Sequence, residues 1–188
     1  MSVLARLLQH GDRERASSIE PMSRRHLGQV LPIEQAAYPT SWSRSVFESE
    51  LGQARNGSRE YLVARHGRTV AGYAGIWIVS DPDGSQAHVT NVAVDPAYRR
   101  SGIATALLVE LARRAVARGC VSWTLEVRSS STGAQELYRA FGFAPAGVRT
   151  KYYENSEDAI VMWCHDIHLP EYRARLEELA CARSFPNP

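Results

Sequence analysis

The segment from Asn91 to Thr105 reads NVAVDPAYRRSGIAT and has the composition of an anion-binding site. An apolar strand ends at Asp95-Pro96, and two arginines then lead to Gly102 at the start of a helix. A glycine lets a ligand approach the main chain closely, and the first N–H groups of a helix are unpaired and attract negative charge. We therefore predict that this segment binds the phosphates of a ligand.

The same segment lacks the Gly-Lys-Ser/Thr ending of a nucleoside-triphosphate loop, which supplies a lysine and a magnesium-binding hydroxyl. The sequence therefore argues against a mononucleotide-binding loop at this segment. The pattern Arg99-x-x-Gly102-x-Ala104 is short, and a glycine that opens a helix after a surface turn would produce the same letters. The rest of the chain has to decide between these two readings.

Further motifs follow in order after this helix: a strand VSWTLEVR, a helix AQELYRAFGF, the pair Tyr152-Tyr153 and a closing strand DAIVMWCHDI. With IEQAAYPTSWS near the front, they resemble the GNAT superfamily of acetyl-coenzyme A-dependent N-acetyltransferases over roughly residues 17–167. The combination LEVR, LY, GF, YY and EDAI is similar to the bacterial branch that acetylates the N-terminal alanine of a small-subunit ribosomal protein. The resemblance implies an α/β GNAT fold, with a mixed central sheet of about seven strands and helices on both faces.

The resemblance also implies roles for single residues. Glu126 matches the proton acceptor of the family, and Tyr138 matches the residue that protonates the departing thiolate. Glu126 could instead lie on a solvated face in a salt bridge with Arg128, and Tyr138 could be a core aromatic. The residues expected to bind acetyl-coenzyme A are Val92, Ala93, Val94, Arg99, Arg100, Ser101, Gly102, Ile103, Ala104, Thr105 and Ser131.

Ser131 departs from the family pattern, in which an asparagine usually follows three residues after the arginine of LEVR. A hydroxyl is shorter than an amide, so this contact to the coenzyme could be lost or bridged by water. The alternative is that Ser131 caps a helix over Thr132–Phe141. Four aromatic residues are expected to wall a slot for an acceptor peptide, or else to be ordinary packing: Tyr38, Trp42, Tyr152 and Tyr153.

The proposed chemistry is the attack of an amine on a thioester. It needs a base, a donor for the oxyanion and an acid for the thiolate. A backbone N–H between Asn91 and Val94 is the expected oxyanion donor. Deprotonation at pH 7 costs about 1 to 1.4 kcal/mol for an α-amine and about 4.6 kcal/mol for a lysine, which favours a protein N-terminus as acceptor. Transfer to a lysine or small-molecule amine stays open, whereas a non-catalytic acetyl-coenzyme A sensor would not need both Glu126 and Tyr138.

Composition bounds the organisation of the chain. Its 188 residues predict one domain over 17–168, an N-terminal extension over 1–16 and a C-terminal helical extension over 169–188. The net charge of +2 argues against nucleic acid as a partner, no segment resembles a membrane span, and a monomer is favoured. Three cysteines without metal spacing suit a reducing cytoplasm. A metal at Cys164, Asp166 and His168 is not expected, since strand alternation turns His165 the other way.

The elements that must position these residues can also be outlined. We predict a helix over 23–38 that kinks or breaks at Pro32, and a second helix over 43–55. Three antiparallel strands follow over 60–65, 69–80 and 85–94. The helix that begins at Gly102 should end before Gly119, and an amphipathic helix is expected over 170–183.

Overall fold

The computed structural model describes residues 17–54, 56–82 and 84–182. Its strands are β1 (Ser17–Pro21), β2 (Arg59–His66), β3 (Thr69–Val79), β4 (Ser85–Val94), β5 (Cys120–Arg128), β6 (Ala144–Tyr153) and β7 (Glu157–His165). Its α-helices are α1 (Leu27–Ala37), α2 (Arg44–Ala54), α3 (Ile103–Ala117), α4 (Thr132–Ala140) and α5 (Pro170–Ala182).

All seven strands form one sheet in the order β1-β2-β3-β4-β5-β7-β6. The first four strands are antiparallel neighbours because short turns connect β2 to β3 and β3 to β4. Strand β5 is parallel to β4, and the connection between them contains α3. Strand β7 then pairs antiparallel with β5, and β6 forms the outer edge. The mixed sheet predicted from the sequence is confirmed.

Two hydrophobic cores lie on opposite faces of this sheet because side chains alternate along each strand. Leu62 and Ala64 of β2 pack in the core that contains α3, α4 and α5. Tyr61 and Val63, their neighbours on the same strand, pack in the core that contains α1 and α2. Helices therefore cover both faces, as predicted.

The predicted break at Pro32 and the predicted end of the last strand were wrong. Helix α1 continues through Pro32 without a break, after a short 3-10 turn over Arg24–His26. Strand β7 ends at His165, because Asp166 has a φ of 60° and leaves the extended region. The argument about a metal site assumed strand alternation over these residues, and it therefore does not apply to Asp166 or His168, which lie beyond the strand.

The two predicted extensions differ in what can be described. Residues 1–16 and 183–188 lie outside the described residues. Helix α5 buries Tyr172 and Leu176 in the larger core, and Tyr172 meets the indole of Trp123 edge-on at 6.4 Å between ring centroids. This helix thus completes the core on the face of α3. The domain boundaries themselves stay predictions.

Candidate active site

A cleft opens where β4 and β5 separate. The parallel pairing of these strands ends at His88 and Thr124, although both strands continue for several residues. Thr90 is an extra residue in β4, since Gly75 of β3 pairs with Asn91 and the next residue, Ile76, pairs with Val89. A bulge bends its strand and increases its twist. The resulting cleft has a volume of about 1120 Å³.

The main chain of β4 presents hydrogen-bonding groups to this cleft. The N–H of Asp95 donates to the Ala71 carbonyl of β3 at 2.9 Å. In an antiparallel strand, the backbone N–H and C=O groups of every second residue bond to the same neighbouring strand. The backbone groups of Ala93 therefore point to β3, whereas those of Val92 and Val94 point to the cleft. Of these three residues, which were predicted to bind the coenzyme, Val92 and Val94 therefore have backbone groups available to a ligand, whereas Ala93 has only its methyl group.

Both cleft-facing residues already have partners within the chain. The Tyr38 hydroxyl accepts from the Val92 N–H at 3.1 Å and donates to the Val92 carbonyl at 2.9 Å. Burial is the main reason that the pKa of Tyr38 is raised, so this hydroxyl stays protonated. Arg99 Nε donates to the Val94 carbonyl at 3.4 Å. A ligand that pairs with this strand must share or replace these contacts.

The start of α3 has the geometry of an anion-binding turn. Arg100 and Gly102 have φ values of 64° and 83°, and the first helical bond runs from the Ala106 N–H to the Gly102 carbonyl at 3.0 Å. The N–H groups just before it, of Ile103, Ala104 and Thr105, are not used by that bond. The side chains of Ile103 and Thr105 are buried, so these residues can offer only their main chain.

The predicted coenzyme residues fall into two groups. The cleft lining includes Val92, Ala93, Val94, Arg99 and Ser131. The remainder belong to the turn and first helical residues and are not part of that lining: Arg100, Ser101, Gly102, Ile103, Ala104 and Thr105.

Glu126 lies on β5, beside the cleft, and its side chain is only 9% exposed. Its Oε2 is 3.2 Å from His88 Nε2, and its Oε1 is 3.1 Å from Arg149 Nη2. The salt bridge with Arg128 considered from the sequence is wrong. Arg128 pairs instead with Glu154 at 2.7 Å and Glu157 at 2.9 Å.

The tyrosines around the cleft differ in what their hydroxyls do. The Tyr153 hydroxyl donates to the Glu126 carbonyl at 3.1 Å, and the Tyr38 hydroxyl binds Val92. Tyr138 is buried at the cleft, and its hydroxyl makes no hydrogen bond within the described part of the chain. Burial raises the pKa of Tyr138, with a smaller contribution from Tyr153. Tyr138 is therefore a protonated hydroxyl that is free to meet a ligand.

Residues 27–143 match the acetyltransferase (GNAT) family. This chain is a member of that family. It is 37% identical over 151 residues to a Bacillus subtilis (strain 168) protein provisionally named a ribosomal protein bS18-alanine N-acetyltransferase, with 78% of this chain and 94% of the relative covered. The Escherichia coli (strain K12) protein of that name is 36% identical over 133 residues, covering 69% and 84%. The crystal structure of the Escherichia coli ribosomal-protein-S18-alanine N-acetyltransferase superposes with a TM-score of 0.71 at 32% identity, covering 80% and 94%.

The acetyltransferase has two aromatic walls on either side of its cleft. Tyr38 directly follows α1, and Trp42 lies in the loop after it. Tyr152 and Tyr153 lie at the end of β6. The walls approach each other where Thr40 Oγ1 donates to Glu154 Oε1 at 3.5 Å. All four predicted aromatic residues thus line one cleft.

Hydrogen bonds and packing on the side away from the cleft stabilise both aromatic walls. Glu34, buried in α1, accepts from the Trp42 N–H at 2.8 Å and from the Tyr73 hydroxyl, and burial raises its pKa. On the other side the Arg128 guanidinium lies 4.2 Å from the ring centre of Tyr153. Trp42 also packs edge-on against Phe47 in the smaller core, at 5.4 Å between centroids. Packing and cleft lining are therefore combined in the same side chains.

Ser131 takes the N-cap position of α4, but its side chain makes no capping hydrogen bond. Gln135 on the same helix instead donates to the carbonyls of Arg128 and Ser129, at 3.2 and 3.0 Å, which fixes the turn between β5 and α4. The side-chain capping role considered for Ser131 is therefore wrong. Its place in the cleft lining keeps open the contact to a ligand.

Sequence reasoning missed His88, Arg149 and Glu34. Strand alternation places His88 beside the cleft, but its contact with Glu126 depends on the pairing of β4 with β5. No group of three or more His, Cys, Asp or Glu residues that could hold a metal ion occurs in the described ranges. The helices in those same ranges include none that is long and apolar enough to cross a membrane. Cys120 and Cys164 are buried and Cys181 is exposed.

Proposed function

We propose that this acetyltransferase transfers the acetyl group of acetyl-coenzyme A to the N-terminal α-amine of a protein, with the N-terminal alanine of ribosomal protein bS18 as the acceptor. The observation that carries the proposal is one cleft in which a largely buried carboxylate, Glu126, and a free hydroxyl, Tyr138, lie with an unpaired strand backbone. An acetyl transfer needs these three kinds of group.

The residues present fit acetyl-coenzyme A. The coenzyme supplies an acetyl thioester on a long amide-containing arm that ends in phosphates. The cleft-facing backbone of Val92 and Val94 can pair with such an arm as it would with an added strand. The turn at Gly102 and the start of α3 can bind the phosphates, with Arg99 and Arg100 adding positive charge.

The proton transfers are assigned to two side chains. Glu126 accepts a proton from the acceptor ammonium, directly or through a water, and the neutral amine then attacks the thioester carbonyl. The Val92 N–H stabilises the oxyanion, because it faces the cleft and is bonded there to a hydroxyl that an oxyanion can replace. Tyr138 protonates the thiolate as it leaves, since its hydroxyl is protonated at neutral pH and unengaged. The new amide nitrogen then loses its remaining extra proton, directly or through a water, and this proton restores the Tyr138 hydroxyl.

The acceptor is proposed from the relatives and from the walls of the cleft. The Escherichia coli relative carries the name of a bS18-alanine N-acetyltransferase and aligns over 84% of its own length. The aromatic walls leave a slot that suits the first residues of an extended peptide. One carboxylate is enough for an α-amine, whose deprotonation at pH 7 costs about 1 to 1.4 kcal/mol.

The test uses two peptides and mass spectrometry. One peptide has the N-terminal sequence of bS18 and begins with alanine; the other is the same peptide with its N-terminus already acetylated and an internal lysine added. With acetyl-coenzyme A we expect a gain of one acetyl group on the alanine nitrogen of the first peptide and none on the second. Modification of the lysine would replace the proposal by lysine acetylation, and coenzyme binding without any transfer would replace it by a sensor.

Location and assembly are proposed from the sequence. The three cysteines are free, and we propose a cytoplasmic enzyme that acts as a monomer, with no nucleic acid or membrane as partner. Sedimentation of the purified protein at micromolar concentration tests the monomer.

A further inference from the structure

The carboxylate of Glu126 is occupied on both oxygens. Arg149 Nη2 lies 3.1 Å from Oε1, and His88 Nε2 lies 3.2 Å from Oε2. If this carboxylate takes the proton directly, the α-ammonium of the acceptor has to approach one of the same two oxygens. Each oxygen has a further lone pair, but a cation already at the carboxylate repels a second one, so the acceptor competes most strongly with a cationic neighbour.

The two neighbours differ in charge. Burial lowers the pKa of His88, and Arg149 lowers it further, while Glu126 acts in the opposite direction. His88 is therefore mainly neutral near pH 7, and its contact with Glu126 carries no full positive charge. Arg149 stays cationic. Its guanidinium has the same charge, and the same partner, as an α-ammonium would have.

They also differ in freedom to move. His88 projects from β4, inside the sheet, and its ring lies beside the indole of Trp77 at 5.9 Å between centroids. Arg149 projects from β6, which has a neighbour on one side only, and its side chain is 56% exposed. The Tyr152 ring centre is 5.4 Å from the Arg149 guanidinium, so a cation–π contact on the same strand can hold this side chain after it leaves Glu126.

The other charges near Glu126 are already engaged. Arg128, on the same face of β5, is held by Glu154 and Glu157. From β6, the Tyr153 hydroxyl binds the Glu126 carbonyl rather than its carboxylate. Within the described residues, the ion-pair partners of Glu126 are thus His88 and Arg149 alone.

We propose that Arg149 occupies the α-ammonium position at Glu126 in the free enzyme and leaves it when the acceptor binds, so that Arg149 sets the affinity for the acceptor. The exchange is balanced in charge, because one cation replaces another. The proton then moves from the ammonium nitrogen to Glu126, and the guanidinium keeps all its protons. This inference rests on the proposed role of Glu126 as the base.

The experiment measures peptide binding by calorimetry for wild type, Arg149→Gln and Arg149→Lys, with Lys151→Gln as the matched control. The control removes one positive charge from the same exposed strand without touching Glu126. The peptide begins with alanine and is used with a free or an acetylated N-terminus. The acetylated form has no ammonium and cannot replace a guanidinium.

We expect Arg149→Gln to bind the free-amine peptide about two- to fivefold more tightly than wild type, the range that a partly exposed ion pair represents. Its affinity for the acetylated peptide should not change. Arg149→Lys and Lys151→Gln should bind both peptides as wild type does. In steady-state assays the effect should appear as a lower KM for the acceptor.

Two results would overturn the inference. Weaker binding of the free-amine peptide by Arg149→Gln would mean that Arg149 contacts the peptide directly, and equal changes for both peptides would mean a general change of the cleft. Neither result depends on turnover. A failure of Glu126 as base would instead appear as full activity of Glu126→Gln, so the two failures can be told apart.

Discussion

Replacing Glu126 by glutamine tests base and acceptor in one assay. Glutamine keeps the size of the side chain and its carbonyl oxygen can still accept from Arg149 or His88, so the sheet around it should fold as before. The change removes the proton acceptor and also removes the negative charge that pairs with Arg149 in the free enzyme. We expect kcat to fall by about 10²- to 10⁴-fold near neutral pH, the usual contribution of general base catalysis.

The dependence on pH identifies the amine. With an α-amine pKa of about 7.8, the deprotonated fraction rises from roughly 5% at pH 6.5 to roughly 80% at pH 8.5. The rate of the variant should therefore rise roughly 17-fold over this interval with an alanine peptide. A lysine acceptor, with a pKa of about 10.4, would need about two and a half further pH units.

The assay follows thiol release at saturating acetyl-coenzyme A, under conditions in which chemistry limits the rate. Glu110→Gln serves as the control, because Glu110 pairs with Arg114 on α3 and does not line the cleft. If Glu126→Gln is as active as wild type at pH 6.5, the carboxylate is structural and the assignment is refuted.

Further substitutions test the other assignments. Gly102→Val should weaken acetyl-coenzyme A binding at least tenfold in calorimetry, because a φ of 83° is strained for valine and the turn would have to change its backbone conformation. Unchanged affinity would contradict the proposed role of the turn. Tyr138→Phe should lower kcat about 10- to 100-fold with the same affinity for the coenzyme, and an unaltered kcat would exclude Tyr138 as the acid. Glu157 has its pKa lowered to about 2, first by the Ser130 hydroxyl and then by Arg128. When the pKa is lower in the folded state, the ionised group stabilises the fold at pH values above its unfolded pKa, and this contribution is lost as the pH falls through the folded-state pKa. Glu157→Gln should therefore lower the Tm at pH 7, and the difference from wild type should shrink as the pH falls towards about 2. An equal Tm difference at both pH values would refute this.

The sequence predicted the elements well wherever the signal was local. Alternation along β4, the glycine before α3 and the turn residues between β2 and β3 each mark a boundary within a few positions. The error at Pro32 has a physical reason. Pro32 is the sixth residue of α1, and a proline in a helix costs one hydrogen bond, which the packing of Val30 and Ile33 in the smaller core can offset.

The surroundings of Glu126 were harder to predict because they depend on register between distant strands. His88 and Glu126 meet only because His88 pairs with Thr124, so that Glu126 is the next residue on that face of β5. Arg149 reaches the same carboxylate from the hairpin β6–β7, two strands away from β5 in the sheet. No spacing within one segment contains this information. The motifs therefore located Glu126, and only the fold could locate its partners.

The bulge at Thr90 links the fold to the chemistry. The Tyr61 ring occupies the space beside Gly75, where an added Cβ would come within 2.1 Å of the ring, so only glycine leaves room for it. The Tyr61 hydroxyl in turn donates to Glu50 at 2.8 Å and accepts from Thr90 Oγ1 at 3.4 Å. Hydrogen bonds from Glu50 through Tyr61 thus fix the position of Thr90, the extra residue of β4.

This arrangement explains why the cleft opens at one place along the strand. Before the bulge, β4 is paired on both sides, with β3 and with β5. After it, Val92 and Val94 keep hydrogen-bonding groups that no strand satisfies, and Glu126 lies on β5 beyond the last residue that pairs with β4, with β7 on its other side. Unpaired backbone groups are costly when buried, so the open cleft is stable only if water, Tyr38 or a ligand meets them. The departure of β4 from β5 therefore creates both the need for a ligand along the strand and the space in which Glu126 can act on it.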